Sequence, residues 1–212
     1  MSDLLSFLSV PVLIHVLDLF GTMAFAVTGA FKAIEHKYDI VGVIILSTIT
    51  GIAGGVIRDV IFGKYPPTAF INPSYLILTV STAIIIFVIY PRIKIHWNLF
   101  LKFDAVGLGV FTVIGASVAY HLFGMNILLM SFAGVVTAIG GGILRDVFVN
   151  DVPLVFIKEI YATTSFIGIL IFFIMLSIGV NFNTSTIASI LITTSIRILA
   201  MKFNWNLPRV RL

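Results

Sequence analysis

Two short motifs hold most of the residue types in this chain that could do chemistry, and they share one spacing. Each combines a threonine, a glycine pair, an Arg-Asp dipeptide and a proline, and the second copy follows the first by 87 positions. The first copy is Thr50, Gly54, Gly55, Arg58, Asp59 and Pro66, and the second is Thr137, Gly141, Gly142, Arg145, Asp146 and Pro153. Charges and glycines inside apolar segments indicate ion pairing or the passage of a solute.

The glycine clusters have two interpretations. A neighbouring helix can approach a glycine-rich face closely. Alternatively the helix can bend or unwind there, and the freed carbonyls can replace the hydration water of a cation. We favour the second interpretation because both clusters begin near the middle of their apolar segments and both precede Arg-Asp. The candidate ion-pathway residues are Ser47, Thr48, Thr50, Gly51, Gly54, Gly55, Thr137, Ala138, Gly140, Gly141 and Gly142.

Helical spacing places small residues and one arginine on the same face of each segment. These faces carry Ser47, Gly51, Gly54 and Arg58 in the first copy, and Gly134, Ala138, Gly141 and Arg145 in the second. The threonine hydroxyls at the same level could line a pathway. They could equally bond back to their own helix, as threonines often do.

Two aspartates inside apolar segments need partners, because a carboxylate within a membrane costs about 2.5–3.5 kcal/mol. Arg58 ends its segment on the side of the membrane where Asp18 lies. The repeat puts Asp104 and Arg145 together on the other side. We therefore predict the charge pairs Asp18–Arg58 and Asp104–Arg145, with a role in gating or structure. The alternative is that Arg58 pairs with Asp59 or faces interfacial water.

Other functional classes lack their motifs. The four histidines have no His-Glu-x-x-His spacing and the chain has no cysteine, so a metal site of that kind is unsupported. A Walker loop is missing, and the two intramembrane aspartates are expected near opposite faces, too far apart for a catalytic pair. We expect neither an enzyme nor a cofactor.

Membrane-spanning helices must position these residues. Of the 212 residues, 59% are hydrophobic and 10% are charged, whereas soluble domains have roughly 25% charged residues. A span needs about 20 apolar residues, and seven segments qualify: 12–31, 40–62, 74–90, 103–122, 126–148, 159–180 and 184–200. We predict an all-α polytopic membrane protein with seven transmembrane helices in a single domain, residues 1–212.

The repeat extends to the first helix of each half. Asp18, Gly21, Phe25, Gly29 and Ala30 recur 86 positions later as Asp104, Gly107, Phe111, Gly115 and Ala116. Repeat A then covers about 10–90 and repeat B about 100–180, followed by a seventh helix and basic tail at 184–212. Three helices per repeat force the copies into opposite orientations, and inverted repeats with interrupted helices indicate a transport pathway. The alternative is a duplication kept for packing alone.

Basic residues predict the orientation. With the N-terminus outside, the outer loops hold Arg58 and Lys64, whereas the inner loops and tail hold the other eleven of the 13 lysines and arginines. We predict a cell-membrane protein with its N-terminus outside and its C-terminus cytoplasmic. The net charge of +4 then reflects topology and attraction to membrane lipids, not nucleic acid.

The double motif resembles a known family. The Asp18–Gly29 helix, the turn from Lys32 to Gly42, the first motif to Pro66 and the second Gly-Gly-Gly-x-x-Arg-Asp at 140–146 are similar to the prokaryotic trimeric intracellular cation (TRIC) channels. Their shared domain is also labelled a glycine transporter. The resemblance covers roughly residues 10–200.

The resemblance implies a homotrimer with one pathway inside each subunit, permeable to monovalent cations and above all to potassium. It also implies kinked second and fifth helices beside the pore. Animal members carry a Lys-Glu-Val motif that this chain lacks, and Lys158-Glu159-Ile160 does not replace it because it follows the fifth helix.

Two other functions remain open. A secondary transporter for glycine or another small solute fits inverted repeats equally well, since a helix N-terminus could hold a carboxylate. The third possibility is a structural membrane scaffold without flux.

Overall fold

The computed structural model describes residues 2–93, 97–157 and 160–205, which form helices joined by short turns. In chain order these helices are α1 (Ser2–Glu35), α2 (Ile40–Ile61), α3 (Thr68–Ile71), α4 (Pro73–Ile93), α5 (Trp97–Phe123), α6 (Ile127–Phe148), α7 (Leu154–Ile157), α8 (Ala162–Ser177) and α9 (Phe182–Lys202). The long helices match the predicted segments closely, except that α1 begins well before residue 12. Lys94, the Lys158-Glu159 pair and the tail from residue 206 lie outside the described residues.

Six of these helices are long and apolar enough to cross a membrane, namely α1, α2, α4, α5, α6 and α9. Helix α8 has 16 residues and is therefore about 24 Å long at 1.5 Å per residue. That length is less than the roughly 30 Å of a hydrocarbon core. The described residues thus contain six candidate spans and one shorter apolar helix where seven spans were predicted.

Helix ends in the two halves have side-chain caps and left-handed turn residues at matching positions. Asp39 begins α2 by accepting the N–H of Gly42 at 2.8 Å, and Asn126, 87 residues later, caps the start of α6 in the same way. The turns before and after these helices each contain a residue in the left-handed region, with φ between 59° and 71°, at Lys37 and Gly63 in the first half and at Gly124 and Asn150 in the second. The repeat in the sequence is therefore also a repeat in the local backbone.

Reciprocal contacts join the two halves, because α1 packs on α5 and α2 packs on α6. A Cβ atom on Gly21 would lie 3.2 Å from the ring of Phe111, and one on Gly107 would lie within 3.0 Å of the ring of Phe25. These two rings meet edge to face, with centroids 5.2 Å apart. Each contact is accompanied by its counterpart, which is what a two-fold relation between the halves produces.

Candidate functional site

The glycine clusters of α2 and α6 face each other. A Cβ atom on Gly54 would lie within 3.0 Å of the carbonyl oxygen of Thr137, and one on Gly141 would lie equally close to that of Thr50. Gly140 also lies at this crossing, since its Cβ would be 3.3 Å from Cα of Gly54. The backbones approach so closely only because side chains are absent there.

Both helices continue through their clusters, so the expectation that they unwind there is wrong. Bending at the glycines stays a prediction. Close packing, the alternative interpretation, accounts for the cluster positions at the crossing. The glycines let the two helices touch while each keeps its helical backbone. Unwinding would instead leave backbone groups unpaired inside the membrane, where they are costly.

Three of the four hydroxyls of the candidate pathway donate to protein carbonyls. Thr50 donates to the carbonyl of Leu46, and Thr137 donates to that of Ala133, both at 2.6 Å. Ser47 donates to the carbonyl of Ala26 at 2.8 Å. In the remaining positions, Thr48 lies 3.2 Å from the hydroxyl of Thr79, and Ala138 is fully buried in the core. The back-bonded alternative is confirmed for Thr50 and Thr137.

Two adjoining cavities lie at the end of the bundle where α2 ends and α9 begins. The wider one has a volume of about 1050 Å³ and mostly apolar walls, which include Phe62, Ile114 and Phe182. The smaller one has about 20 Å³, which is room for roughly one water molecule. Both are lined by Asp18, Arg58, Thr68 and Tyr75, and the smaller cavity continues to Gly51 and Gly55. The small cavity thus places the charged side chains of Asp18 and Arg58 beside two of the predicted pathway glycines.

Arg58 pairs with Asp59 and not with Asp18, so the predicted Asp18–Arg58 pair is wrong. Its Nε and Nη2 atoms donate to Oδ1 of Asp59 at 2.9 and 2.7 Å. Asp18 instead accepts the hydroxyl of Tyr75 at 2.5 Å. Asp18 and Arg58 still line the same cavities, and Nη1 of Arg58 lacks a hydrogen-bond partner among the described residues. The local pair weighed as the alternative is therefore the one present.

Arg145 and Asp104 do meet, as predicted. Nη1 of Arg145 lies 2.8 Å from Oδ1 of Asp104, and both side chains are at most 1% exposed. The same guanidinium donates to both carboxylate oxygens of Asp146 and to the hydroxyl of Thr28. Its carbon lies 4.8 Å from the ring centre of Phe100. Arg145 therefore ties α6 to α1 and α5.

The aspartate of each Arg-Asp dipeptide also accepts hydrogen bonds from the start of a short helix. Asp59 accepts the backbone N–H and the hydroxyl of Thr68 at 2.9 and 2.7 Å, at the start of α3. Asp146 accepts the backbone N–H of Leu154 at 3.0 Å, at the start of α7. Carboxylates at helix N-termini are stabilised by the exposed amides there.

Two tyrosines were missed by the sequence analysis although they obey the repeat. Tyr75 and Tyr161 are 86 positions apart, the same spacing as Asp18 and Asp104. Tyr161 lies beside the second glycine cluster, since a Cβ atom on Gly142 would be 3.4 Å from its hydroxyl. The shared offset of 86 was the signal that could have found them.

A third charged contact, also missed, closes the other end of the bundle. The ammonium of the buried Lys32 donates to Asp151, which follows α6. This hydrogen bond, together with the positive charge of Lys32, lowers the pKa of Asp151. The described residues contain no group of three or more potential metal ligands.

Comparison with known proteins gives one family. A family model described as a glycine transporter matches residues 15–91 and, separately, residues 101–177. A UPF0126 membrane protein of Vibrio cholerae is 33% identical over 197 residues, which cover 92% of this chain and 82% of the relative. The UPF0126 inner membrane protein YadS of Escherichia coli is 33% identical over 199 residues, covering 92% and 95% of the two chains.

Solved structures agree with this assignment. A TRIC cation channel studied for its conductance has a TM-score of 0.85 and 39% identity, over 93% of this chain and 97% of that one. The TRIC orthologue from Rhodobacter sphaeroides has a TM-score of 0.86 and 30% identity, over 91% and 98%. A channel of this type from C. elegans, at 12% identity and a TM-score of 0.62, shares the fold.

Proposed function

Because this chain belongs to the prokaryotic TRIC-type family, whose shared domain is described as a glycine transporter, we propose that it is a passive channel for monovalent cations. Potassium is the proposed main ion, and each subunit of a homotrimer has its own pathway. The observation that carries the proposal is the likeness to solved TRIC cation channels over more than nine tenths of the chain.

The proposed architecture is an inverted pair of three-helix repeats with α8 completing the second repeat and α9 outside both. The reciprocal glycine contacts between the halves support it. The proposed orientation has the N-terminus outside and the C-terminus cytoplasmic in the inner membrane. The wide cavity then opens to the outside, and Lys32 and Asp151 lie at the cytoplasmic end.

The proposed entry route runs from the wide cavity past Asp18 and Arg58 to Gly51 and Gly55. The carboxylate of Asp18 would attract a cation, whereas the guanidinium of Arg58 would repel it. The guanidinium of Arg145 contacts two carboxylates, whereas that of Arg58 contacts only the carboxylate of Asp59. We therefore assign Arg58 as the charge that opposes entry in the structure as it stands.

Planar-bilayer recording of the purified protein tests this function. Potassium and sodium gradients should give unitary currents whose reversal potentials follow the cation gradient. Saturable glycine uptake into proteoliposomes without unitary currents would instead establish the transporter. That second candidate is favoured by the description of the family model and by the free Nη1 of Arg58, which could receive a carboxylate. Absence of both ion flux and uptake would favour a scaffold.

Replacing Arg58 with glutamine is expected to raise the open probability, because it removes the positive charge at the narrow point of the proposed route. Lys64→Gln is the control, since Lys64 lines the wide cavity but not the small one. Single-channel recording measures both. Equal changes in the two variants would indicate a general surface-charge effect and contradict a gating role for Arg58.

Accessibility of Gly55 provides an independent test of the route. The chain has no cysteine, so a single introduced thiol is the only reactive one. Gly55→Cys should react with a membrane-impermeant cationic thiol reagent added outside while the channel is open, and the current should fall. Val43→Cys, at a fully buried position of the same helix, should not react. Labelling of Gly55→Cys only from the cytoplasmic side would reverse the proposed orientation.

A further inference from the structure

Buried polar atoms without partners are concentrated on α8 and α9, which pack against each other. Ten buried side-chain nitrogen or oxygen atoms have no hydrogen-bond partner in the described part of the chain, and six of them belong to these two helices. They are Oγ of Ser165, Oδ1 of Asn183, Oγ1 of Thr186, Oγ of Ser189, and Nε and Nη2 of Arg197. So many orphaned atoms on two adjacent helices indicate something more specific than imperfect packing.

The residues of α9 form one line along the helix. Thr186, Ser189, Thr193 and Arg197 are spaced by three or four positions and therefore share a face. This face is directed at α8, because the hydroxyl of Thr193 occupies the space beside Gly168 where a side chain would otherwise lie. From Asn183 to Arg197 the line is about 21 Å long at 1.5 Å per residue.

Arg197 ends the line as a buried cation that no described carboxylate contacts. Its side chain is 2% exposed. Nη1 donates to the carbonyl of Ile160 at 2.9 Å, and the guanidinium carbon lies 4.5 Å from the ring centre of Tyr161. Two of its three nitrogens still lack acceptors. A buried guanidinium with free donors requires further acceptors, since an unpaired buried charge is strongly unfavourable.

The free hydroxyls also depart from the usual behaviour of serine and threonine in helices. Such hydroxyls commonly donate to a carbonyl in the preceding turn, as Thr193 does to Ser189 at 2.6 Å. Ser165, Thr186 and Ser189 make no such bond. Water is the ligand that fits both findings, because it accepts from the guanidinium and exchanges hydrogen bonds with hydroxyls.

We propose that a row of bound water molecules, interrupted where Thr193 packs against Gly168, occupies the α8–α9 interface from Asn183 to Arg197. The row supplies the missing acceptors of Arg197 and bonds to the free hydroxyls. It is separate from the route along the glycine clusters and does not depend on the proposed channel function. The fixed charge of Arg197 keeps cations out of the row, so it holds water without conducting.

Isosteric removal of one hydroxyl tests the proposal. Thr186→Val should lower the melting temperature in detergent by about 2–4 °C, because a water loses a partner. The control is Thr112→Val, where the buried hydroxyl bonds to its own helix at 2.7 Å, and it should change the melting temperature less. An unchanged or raised melting temperature for Thr186→Val would overturn the proposal, since removing a truly unpaired hydroxyl costs nothing.

Radiolytic hydroxyl labelling decides the question without a variant. Radicals formed from bound water oxidise adjacent rings even where bulk solvent is excluded. Phe172 lies on the buried face of α8 together with Ser165, whereas the similarly buried Phe31 lies in the aromatic core. Phe172 should be oxidised at least several-fold faster than Phe31. Equal, background oxidation of the two rings would exclude the water row.

Discussion

Arg145→Gln is expected to lower the stability of the folded protein by about 3–5 kcal/mol, the loss that follows when one partner of a buried ion pair is removed. The carboxylates of Asp104 and Asp146 would both remain buried without their cation. At about 2–4 °C per kcal/mol for a chain of this size, the melting temperature should fall by roughly 6–20 °C. Thermal unfolding in detergent measures the change.

Two further variants make the Arg145 result specific. Arg92→Gln changes an exposed arginine at the end of α4 and should shift stability by no more than about 0.5 kcal/mol. Arg145→Gln combined with Asp104→Asn should recover part of the loss, because the second change removes one of the stranded carboxylates. If the double variant is as unstable as the sum of the two single variants, the Asp104–Arg145 pair does not contribute as a pair.

Gly54→Ala and Gly55→Ala are expected to have opposite effects although the residues are adjacent. The new methyl group at 54 would lie within 3.0 Å of a backbone carbonyl oxygen of α6, whereas at 55 the nearest atom outside the backbone of α2 is Nη2 of Arg58 at 3.7 Å. Overpacking of this kind costs about 1–3 kcal/mol. Alanine otherwise favours a helix by roughly 1 kcal/mol over glycine, so Gly55→Ala should be neutral or stabilising.

The second repeat allows the same glycine-to-alanine comparison to be made a second time. Gly141→Ala should destabilise because α2 presents its Thr50 carbonyl there, and Gly142→Ala should not, because its nearest neighbour is the hydroxyl of Tyr161 at 3.4 Å. Thermal melts of the four variants give the answer. If alanine instead acts alike at all four positions, the glycines serve the flexibility of their helices and not the crossing.

The charge pairs show what the sequence could specify. The repeat spacing correctly placed Asp104 at the level of Arg145, and the two side chains meet. The same reasoning failed for Asp18 and Arg58, because spacing determines the level of a residue but not which of several nearby donors reaches it. The hydroxyl of Tyr75 donates to the carboxylate of Asp18, and the guanidinium of Arg58 pairs with the neighbouring Asp59.

The glycine clusters show a second limit. Their position near mid-membrane was predicted from the apolar segments, but a single helix does not reveal what faces it. Close approach and unwinding require the same residues, and only the opposing carbonyls of Thr50 and Thr137 distinguish them. The polar face of α9 was overlooked for a related reason, since serine and threonine hydroxyls in an apolar helix are ordinarily satisfied within it.

The two aspartates of the Arg-Asp motifs have a mechanical consequence. The carboxylate of Asp146 accepts hydrogen bonds from the guanidinium of Arg145 and from the first amide of α7. The carboxylate of Asp59 connects Arg58 to the start of α3 in the same way. A displacement of either short helix is therefore transmitted to a buried arginine through one side chain. A partner that bound the 154–157 segment at the membrane surface would thus change the position of the Arg145 guanidinium.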